Sequence, residues 1–320
     1  MRWRYVYPQQ AFPYDELVAE NRDRSRAEPE FELLDTQAFA EDRYWEITAD
    51  YAKQTPEDLV VRLTIRNPGP DAATLHVLPT LWFRNTWAWG LDDRRPSISL
   101  AGGSLEARHH SLGSIHLCGD GTPTPLFCNN ETNTRRLWGV DGDPYPKDGI
   151  ADHVVHGAAT VDPERRGTKA ALHYVVEVEP GGSTQIRLRL GPAGTADSSA
   201  TTDMATDVDA VLEQRASEAD RFYADLLPEH TDDEQAMIAR QALAGMLWSK
   251  QFYHFDVERW LDGDPGAPTP PDSRRTGRNA AWRHLNNADI ISMPDKWEYP
   301  WYAAWDLAFR TAGVRSGRGP

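Results

Sequence analysis

The feature that most constrains this chain is a change of hydrophobic period part-way along it. In Arg43–Tyr51 the apolar residues Trp45, Ile47, Ala49 and Tyr51 alternate with polar ones, and Leu59, Val61, Leu63 and Ile65 repeat the pattern. A period of two is that of a strand, which sends one set of side chains to a core and the other to solvent or a second sheet. Between the two runs Thr55-Pro56-Glu57-Asp58 has turn composition, and Asn67-Pro68-Gly69-Pro70 ends the second. Leu75–Phe83 resumes the β pattern. Leu172, Tyr174, Val176 and Val178 are expected to pair with Ile186, Leu188 and Leu190 across Pro180-Gly181-Gly182, as a hairpin. Residues 119–167 are polar and rich in Gly, Pro and Asp, the composition of a functional loop or a decoration at a domain face.

The period then becomes helical. Val208, Val211, Leu212, Arg215, Ala219, Phe222, Tyr223 and Leu226 mark one face of a helix that ends before Pro228. Thr231-Asp-Asp-Glu234 is a capping box opening a second helix, along which Met237, Ile238, Gln241, Ala242, Met246 and Leu247 recur. Lys250, Gln251 and Tyr253 fall near the end of that helix. Residues 261–278 read as a loop. Strands first and helices afterwards predict an antiparallel β-sandwich over 1–198, a small polar linker over 199–206, and a helical domain from 207 to 310.

The charge balance excludes whole classes of partner. Forty-nine acidic residues against 34 basic ones give a net charge of −15. That opposes nucleic acid, where phosphate neutralisation supplies most of the affinity, and it opposes anionic membrane surfaces. No run approaches the roughly 18 apolar residues of a membrane span. Met1-Arg-Trp-Arg-Tyr-Val is followed by no apolar stretch of a secretory signal, which predicts a cytoplasmic location. Cys118 and Cys128 are the only cysteines and read as two buried or incidental thiols. His109-His110 and the pair His153 and His156 lack zinc-like spacing, and Asp141, Asp143 and Asp148 do not meet the EF-hand pattern, so no metal and no cofactor are expected. The oligomeric state is left open.

Twelve tryptophans are the compositional outlier, and nine of them fall within Trp82–Trp89 and Trp248–Trp305. Flat aromatics in clusters fit two readings: core packing, or a cleft in which the apolar face of a pyranose lies against the rings. The densest window is Asp295-Lys-Trp-Glu-Tyr-Pro-Trp-Tyr-Ala-Ala-Trp-Asp306. Pro300 suits the first turn of a helix, on which Trp301 and Trp305 share one face and Tyr302 and Asp306 another. Aromatic surroundings would raise the Asp306 pKa above the reference of about 3.9, and a protonated carboxyl is what donating a proton to a glycosidic oxygen requires. A solvated or ion-paired Asp306 is the alternative, and Glu298 is a competing carboxylate. Arg84, Asn85, Trp87 and Trp89, at the end of a predicted strand, fit either substrate contact or interdomain packing. Lys250 invites the same split. Trp282, His284 and Asn286 precede the motif by one short segment and suit orienting a sugar hydroxyl.

The segment Trp297-Glu-Tyr-Pro-Trp-Tyr-Ala-Ala-Trp-Asp-Leu-Ala-Phe309, preceded by Asn287-Ala-Asp-Ile-Ile-Ser-Met-Pro-Asp-Lys296, resembles the large bacterial glucosidases related to glycoside hydrolase family 63. Trp82-Phe-Arg-Asn-Thr-Trp-Ala-Trp-Gly90, Met246-Leu-Trp-Ser-Lys-Gln-Phe-Tyr253 and Pro29-Glu-Phe-Glu-Leu-Leu-Asp-Thr36 are similar to stretches of the same proteins. The resemblance implies an N-terminal sandwich packed on an (α/α)6 barrel and hydrolysis of an α-glucoside with inversion, the substrate being an oligosaccharide or a glycosylglycerate. It places the general acid at Asp306 and the general base at a Glu much later in the barrel. Trp301, Trp305, Tyr302 and Trp297 would line the sugar site, with Glu298, Arg84, Trp87 and Lys250 as further contacts. Residues 311–320 have no family character. On this reading the expected fold is the sandwich followed by the first helices of an incomplete barrel, with the base absent. The rival expectation is a carbohydrate-binding or interaction fragment without turnover.

Overall fold

The structure is a computed structural model that describes residues 1–88, 90, 92–192, 201–228, 231–265, 267–293 and 302, with backbone alone for 201–204. It divides into two units. The first comprises residues 1–87, 92–135 and 141–214, and the second 88–91, 136–140 and 215–320.

The first unit begins with β1 (Arg2–Pro8), α1 (Tyr14–Asp23), β2 (Tyr44–Thr55), β3 (Asp58–Arg66), β4 (Ala73–Val77), β5 (Thr80–Trp82), β6 (Ser97–Ala101), β7 (Ser104–His109), β8 (Gly113–Gly119) and β9 (Thr124–Cys128). It continues with α2 (Thr134–Trp138), whose last three residues fall in the second unit, α3 (Gly149–His156), β10 (Arg166–Gly167), β11 (Lys169–Val178) and β12 (Ser183–Pro192). An eight-stranded sheet runs β1-β2-β3-β12-β8-β7-β6-β10. In the second sheet β11 pairs with β4, β5 and β9, and every pairing in both sheets is antiparallel.

The alternation in β2 and β3 builds this sandwich as the sequence predicts. Ile47 faces Ile65, Ala49 faces Leu63 and Tyr51 faces Val61 across the ladder. Their inner faces join Trp45, Ile98, Leu105, Phe127, Leu172, Ile186 and Leu188 in one core. Each fully buried side chain of this size contributes roughly 1.5–3 kcal/mol. The opposite face of β3 is covered too. Val60 and its cross-strand partner Ala52 pack on Val208, Val211 and Leu212 of α4 (Thr201–Leu226). Helix α4 thus begins inside the stretch whose composition reads as linker, and its buried face is the one its spacing predicts.

One pairing differs from expectation. β11 and β12 are not a hairpin: β11 belongs to the second sheet, while β12 lies between β3 and β8 in the first. The connection turns the corner of the sandwich. Gly181 takes φ +65°, Gly182 N–H donates to Glu179 O at 2.9 Å, and Asn67 N–H donates to Gly182 O at 3.0 Å. Residues 119–167 are not all loop either, since they contain β9, α2, α3 and β10.

In the second unit, α5 (Asp233–Trp248) opens on Asp232, whose carboxylate accepts from Gln235 N–H at 2.8 Å. Lys250 does not end this helix. It starts β13 (Lys250–Asp256), which pairs antiparallel with β14 (Asn286–Ser292). Between them lie α6 (Val257–Asp262) and α7 (Ser273–Thr276), short helices within the stretch expected to be loop. Among the described residues, no helix is long and apolar enough to cross a membrane.

Candidate carbohydrate-contact residues

The predicted contacts Arg84 and Trp87 follow β5 in the first unit. Arg84 is exposed, while Trp87 is half-buried and fixed by its own N–H, which donates to Glu131 Oε1 at 2.5 Å. Glu131 also accepts from Asn85 Nδ2 at 3.0 Å and pairs with Arg95 at 3.4 Å. The Arg95 guanidinium in turn lies 5.8 Å from the centre of the Trp87 ring. Charge-assisted bonds of this kind are shorter and stronger than neutral ones, so the carboxylate acts as a clamp on the indole edge. The loop is tied further by Asn130, whose Nδ2 donates to Phe83 O at 2.8 Å, and by Asn129, whose Nδ2 donates to Asp143 at 2.8 Å.

Glu131, Arg95, Asn130 and Asp143 were not legible as a group in the sequence. They come from segments separated by up to 48 positions, and Asn130, Glu131 and Asp143 sit in the stretch read as polar loop while Arg95 precedes it. The Asn129-Asn130-Glu131 run immediately after β9 was the one local signal.

Tyr302 and Lys250 lie in the second unit. Lys250 Nζ donates to the Ser292 hydroxyl, its cross-strand partner, which fixes the β13–β14 register. The Tyr302 ring lies 5.5 Å from Tyr253, tilted by 59°. Tyr253 packs against the buried Ile291 and Met293, so Tyr302 is placed against a small core of this unit. Trp282 stacks on His284 at 5.7 Å, and Arg274 covers the Trp260 ring at 4.9 Å. Asp306, Trp297, Glu298, Trp301 and Trp305 lie outside the described residues, as does Trp89.

The tryptophans bear on the choice between packing and ligand contact. Of the eight that are described, Trp45 alone is buried. Trp3, Trp82, Trp248 and Trp282 expose more than half of their surface. Among the described residues, no three His, Cys, Asp or Glu side chains gather as metal ligands. His76 Nδ1 and His173 Nε2 meet at 2.8 Å as a pair on the second sheet; burial, then the neighbouring His76, lowers the His173 pKa.

No protein-family model matches the chain. It is similar to the uncharacterized protein YMR196W of Saccharomyces cerevisiae, with 34% identity over 355 aligned positions that take in 97% of this chain and 32% of that protein. The chain therefore spans about a third of the length of the curated relative it matches. Among solved structures it is similar to a polysaccharide lyase, with a TM-score of 0.28 and 13% identity over 46% of this chain and 20% of the lyase. A second is described as a kojibiose phosphorylase from the human microbiome, with a TM-score of 0.27 and 7% identity over 68% of this chain and 24% of the other. Neither score reaches the level of a shared fold.

Proposed function

We propose that this chain carries part of a glycoside hydrolase that cleaves an α-glucoside with inversion, and that Asp306 is its general acid. The observation that carries the reading is the Trp297–Phe309 motif, in which the carboxylic acid Asp306 follows five aromatic residues within ten positions. The exposure of the described tryptophans supports it, because rings withheld from the core are available to lie against sugar faces. Trp297, Trp301, Tyr302 and Trp305 would line the sugar site, and Asp306 would protonate the leaving oxygen. An inverting mechanism needs a second carboxylate about 6.5–9.5 Å away to activate water. The resemblance assigns that base to a Glu later in the barrel. Glu298, Arg84, Trp87 and Lys250 are then the further substrate contacts.

The test is turnover of synthetic α-glucosides by a protein that carries this chain together with the rest of the barrel and its Glu, with the anomer of the released glucose read by NMR. β-Glucose as first product is expected, and Asp306→Asn should lower turnover roughly 10²–10⁴-fold. Turnover unchanged in Asp306→Asn would remove the acid from this residue. The second reading is a carbohydrate-binding module without catalysis, favoured by the same exposed rings. Calorimetric binding of α-glucosides with no hydrolysis would select it.

A further inference from the structure

We propose that a cleft at one end of the sandwich, far along the chain from Asp306, binds a neutral saccharide, with the exposed aromatic residues of β1 forming the floor for the sugar units outside it. The cleft holds about 460 Å³ and is walled by Gln9, Gln10, Gln37, Thr74 and the pair Glu41 and Arg43, with Trp45 at its base. That volume lies within the range of small-molecule sites.

The lining sets the ligand class. Gln9 Nε2 donates to Asn67 Oδ1 and Tyr44 O and so turns only its carbonyl oxygen to the cleft, while the Gln10 and Gln37 amides and the Thr74 hydroxyl can both donate and accept, which suits the hydroxyl groups of a sugar. The one cation of the wall, Arg43, is held by two carboxylates, Glu41 at 2.9 Å and Asp71 at 2.7 Å, so an anionic ligand finds no uncommitted positive charge there. The wall is also held in place from behind. Asn67, wholly buried, donates to Asp71 O at 2.7 Å and Val178 O at 2.9 Å, and its Oδ1 accepts from Gln9 Nε2 at 2.8 Å and Gly69 N–H at 3.0 Å. Gln10 Nε2 donates to Gln37 O at 2.7 Å. Backbone conformation adds an independent observation. Glu41 and Asp42 take φ of +56° and +58°, two consecutive non-glycine residues in the left-handed region. Strain of this kind concentrates at ligand sites, and here it carries Glu41 into the wall.

The aromatic row of β1 meets the cleft through Trp45, which lines it and is the cross-strand partner of Tyr7. Tyr5 is likewise the partner of Ile47 and Trp3 of Ala49, so all three aromatic residues of β1 lie on the inner face of the large sheet. Yet Trp3, Tyr5 and Tyr7 are exposed, because β1 is the edge strand. Tyr5 and Tyr7 stack at 5.8 Å and 18°, and Tyr7 and Phe12 at 6.3 Å and 23°. A row of exposed rings beside a polar cleft fits a short glycan with one unit inside and its neighbours against the solvent-facing surfaces of Trp3, Tyr5 and Tyr7.

The experiment is calorimetric titration of the 320-residue chain with neutral gluco- and manno-oligosaccharides of one to six units, an oligouronate and inorganic phosphate. Neutral sugars are expected to bind, with affinity rising over the first few units. Gln10→Ala and Tyr5→Ala should each weaken binding about tenfold, the equivalent of one lost contact. Glu41→Gly should weaken binding while raising the melting temperature, since glycine accepts the left-handed conformation without strain. An Asp306→Asn background removes hydrolysis but not sugar binding at the Trp297–Phe309 motif, so the Gln10, Tyr5 and Glu41 variants separate this site from the hydrolase reading: their losses are expected to be the same in that background. Absence of neutral-sugar binding, preference for the uronate or phosphate, or affinities unaltered by all three variants would each overturn the proposal.

Discussion

Asp50 shows how one residue joins three parts of the sandwich. Burial pushes its pKa up, but Arg2 and Arg62 outweigh this and hold the carboxyl below its usual value. Arg2 bonds both carboxylate oxygens, at 2.7 and 3.1 Å, and Arg62 reaches Oδ2 at 3.1 Å. Arg62 also reaches Asp209 of α4 at 3.2 Å, as does Arg187 of β12, so the network ties the helix to the sheet. A carboxyl whose folded pKa is depressed adds stability above its unfolded pKa of about 3.9 and loses it as pH falls through the folded value. Asp50→Asn is therefore expected to cost about 1–3 kcal/mol at pH 7, a value reduced from a fully buried pair because Arg2 is exposed. The cost should shrink toward pH 3, below the unfolded pKa, where the unfolded chain's carboxyl takes up the proton that the folded one resists. Urea unfolding at both pH values decides it, and an equal loss at each would show that the charge does not matter. The partnership was not readable in advance, since Arg2, Asp50, Arg62 and Asp209 come together only through the register of β1, β2 and β3.

At the scale of elements, periodicity located faces better than it located neighbours. The inner residues of β2 and β3 follow from their alternation, and Val208, Val211 and Leu212 from helical spacing. Alternation failed for β11 and β12 for a physical reason. Leu172 of one and Ile186 and Leu188 of the other enter the same core, but from opposite sheets. Inward-facing strands have one pattern whether they are bonded side by side or face each other across the core. The turn before β2 was missed differently, because Glu41 and Asp42 adopt left-handed backbone without the glycine that would have announced it. Asp42→Gly should therefore stabilise the first unit by roughly 0.5–1 kcal/mol, and Asp42→Val should destabilise it by about 1–2 kcal/mol. A lower urea midpoint for the glycine variant would mean that this turn is held by contacts of the aspartate side chain.

For the whole molecule, the two units differ in how much apolar surface each encloses. The first holds the large sandwich core together with Cys118 and Cys128, both buried and unpaired as their spacing suggested. Burial pushes the Cys128 thiol up to about 11, so it stays protonated and unreactive until that unit opens. In the second unit the described clusters are small: Ile291 and Met293 with Tyr253, beneath a two-stranded sheet whose Phe252 and Ile290 face solvent. A sheet of two strands is marginal without further packing, and chains of unequal units need not unfold in one step. The sequence signalled a change of architecture but could not grade the two parts, because core size depends on which residues meet across elements. The expected outcome is that β13 and β14 amides exchange with deuterium well before native Cys118 and Cys128 react with an aromatic disulfide reagent, at every sub-denaturing urea concentration. Thiol labelling should instead track protection of the β2, β3 and β12 amides, which lie in the same unit. Labelling as fast as β13–β14 exchange would show that the two units open together, and the difference in their cores would then have no thermodynamic consequence.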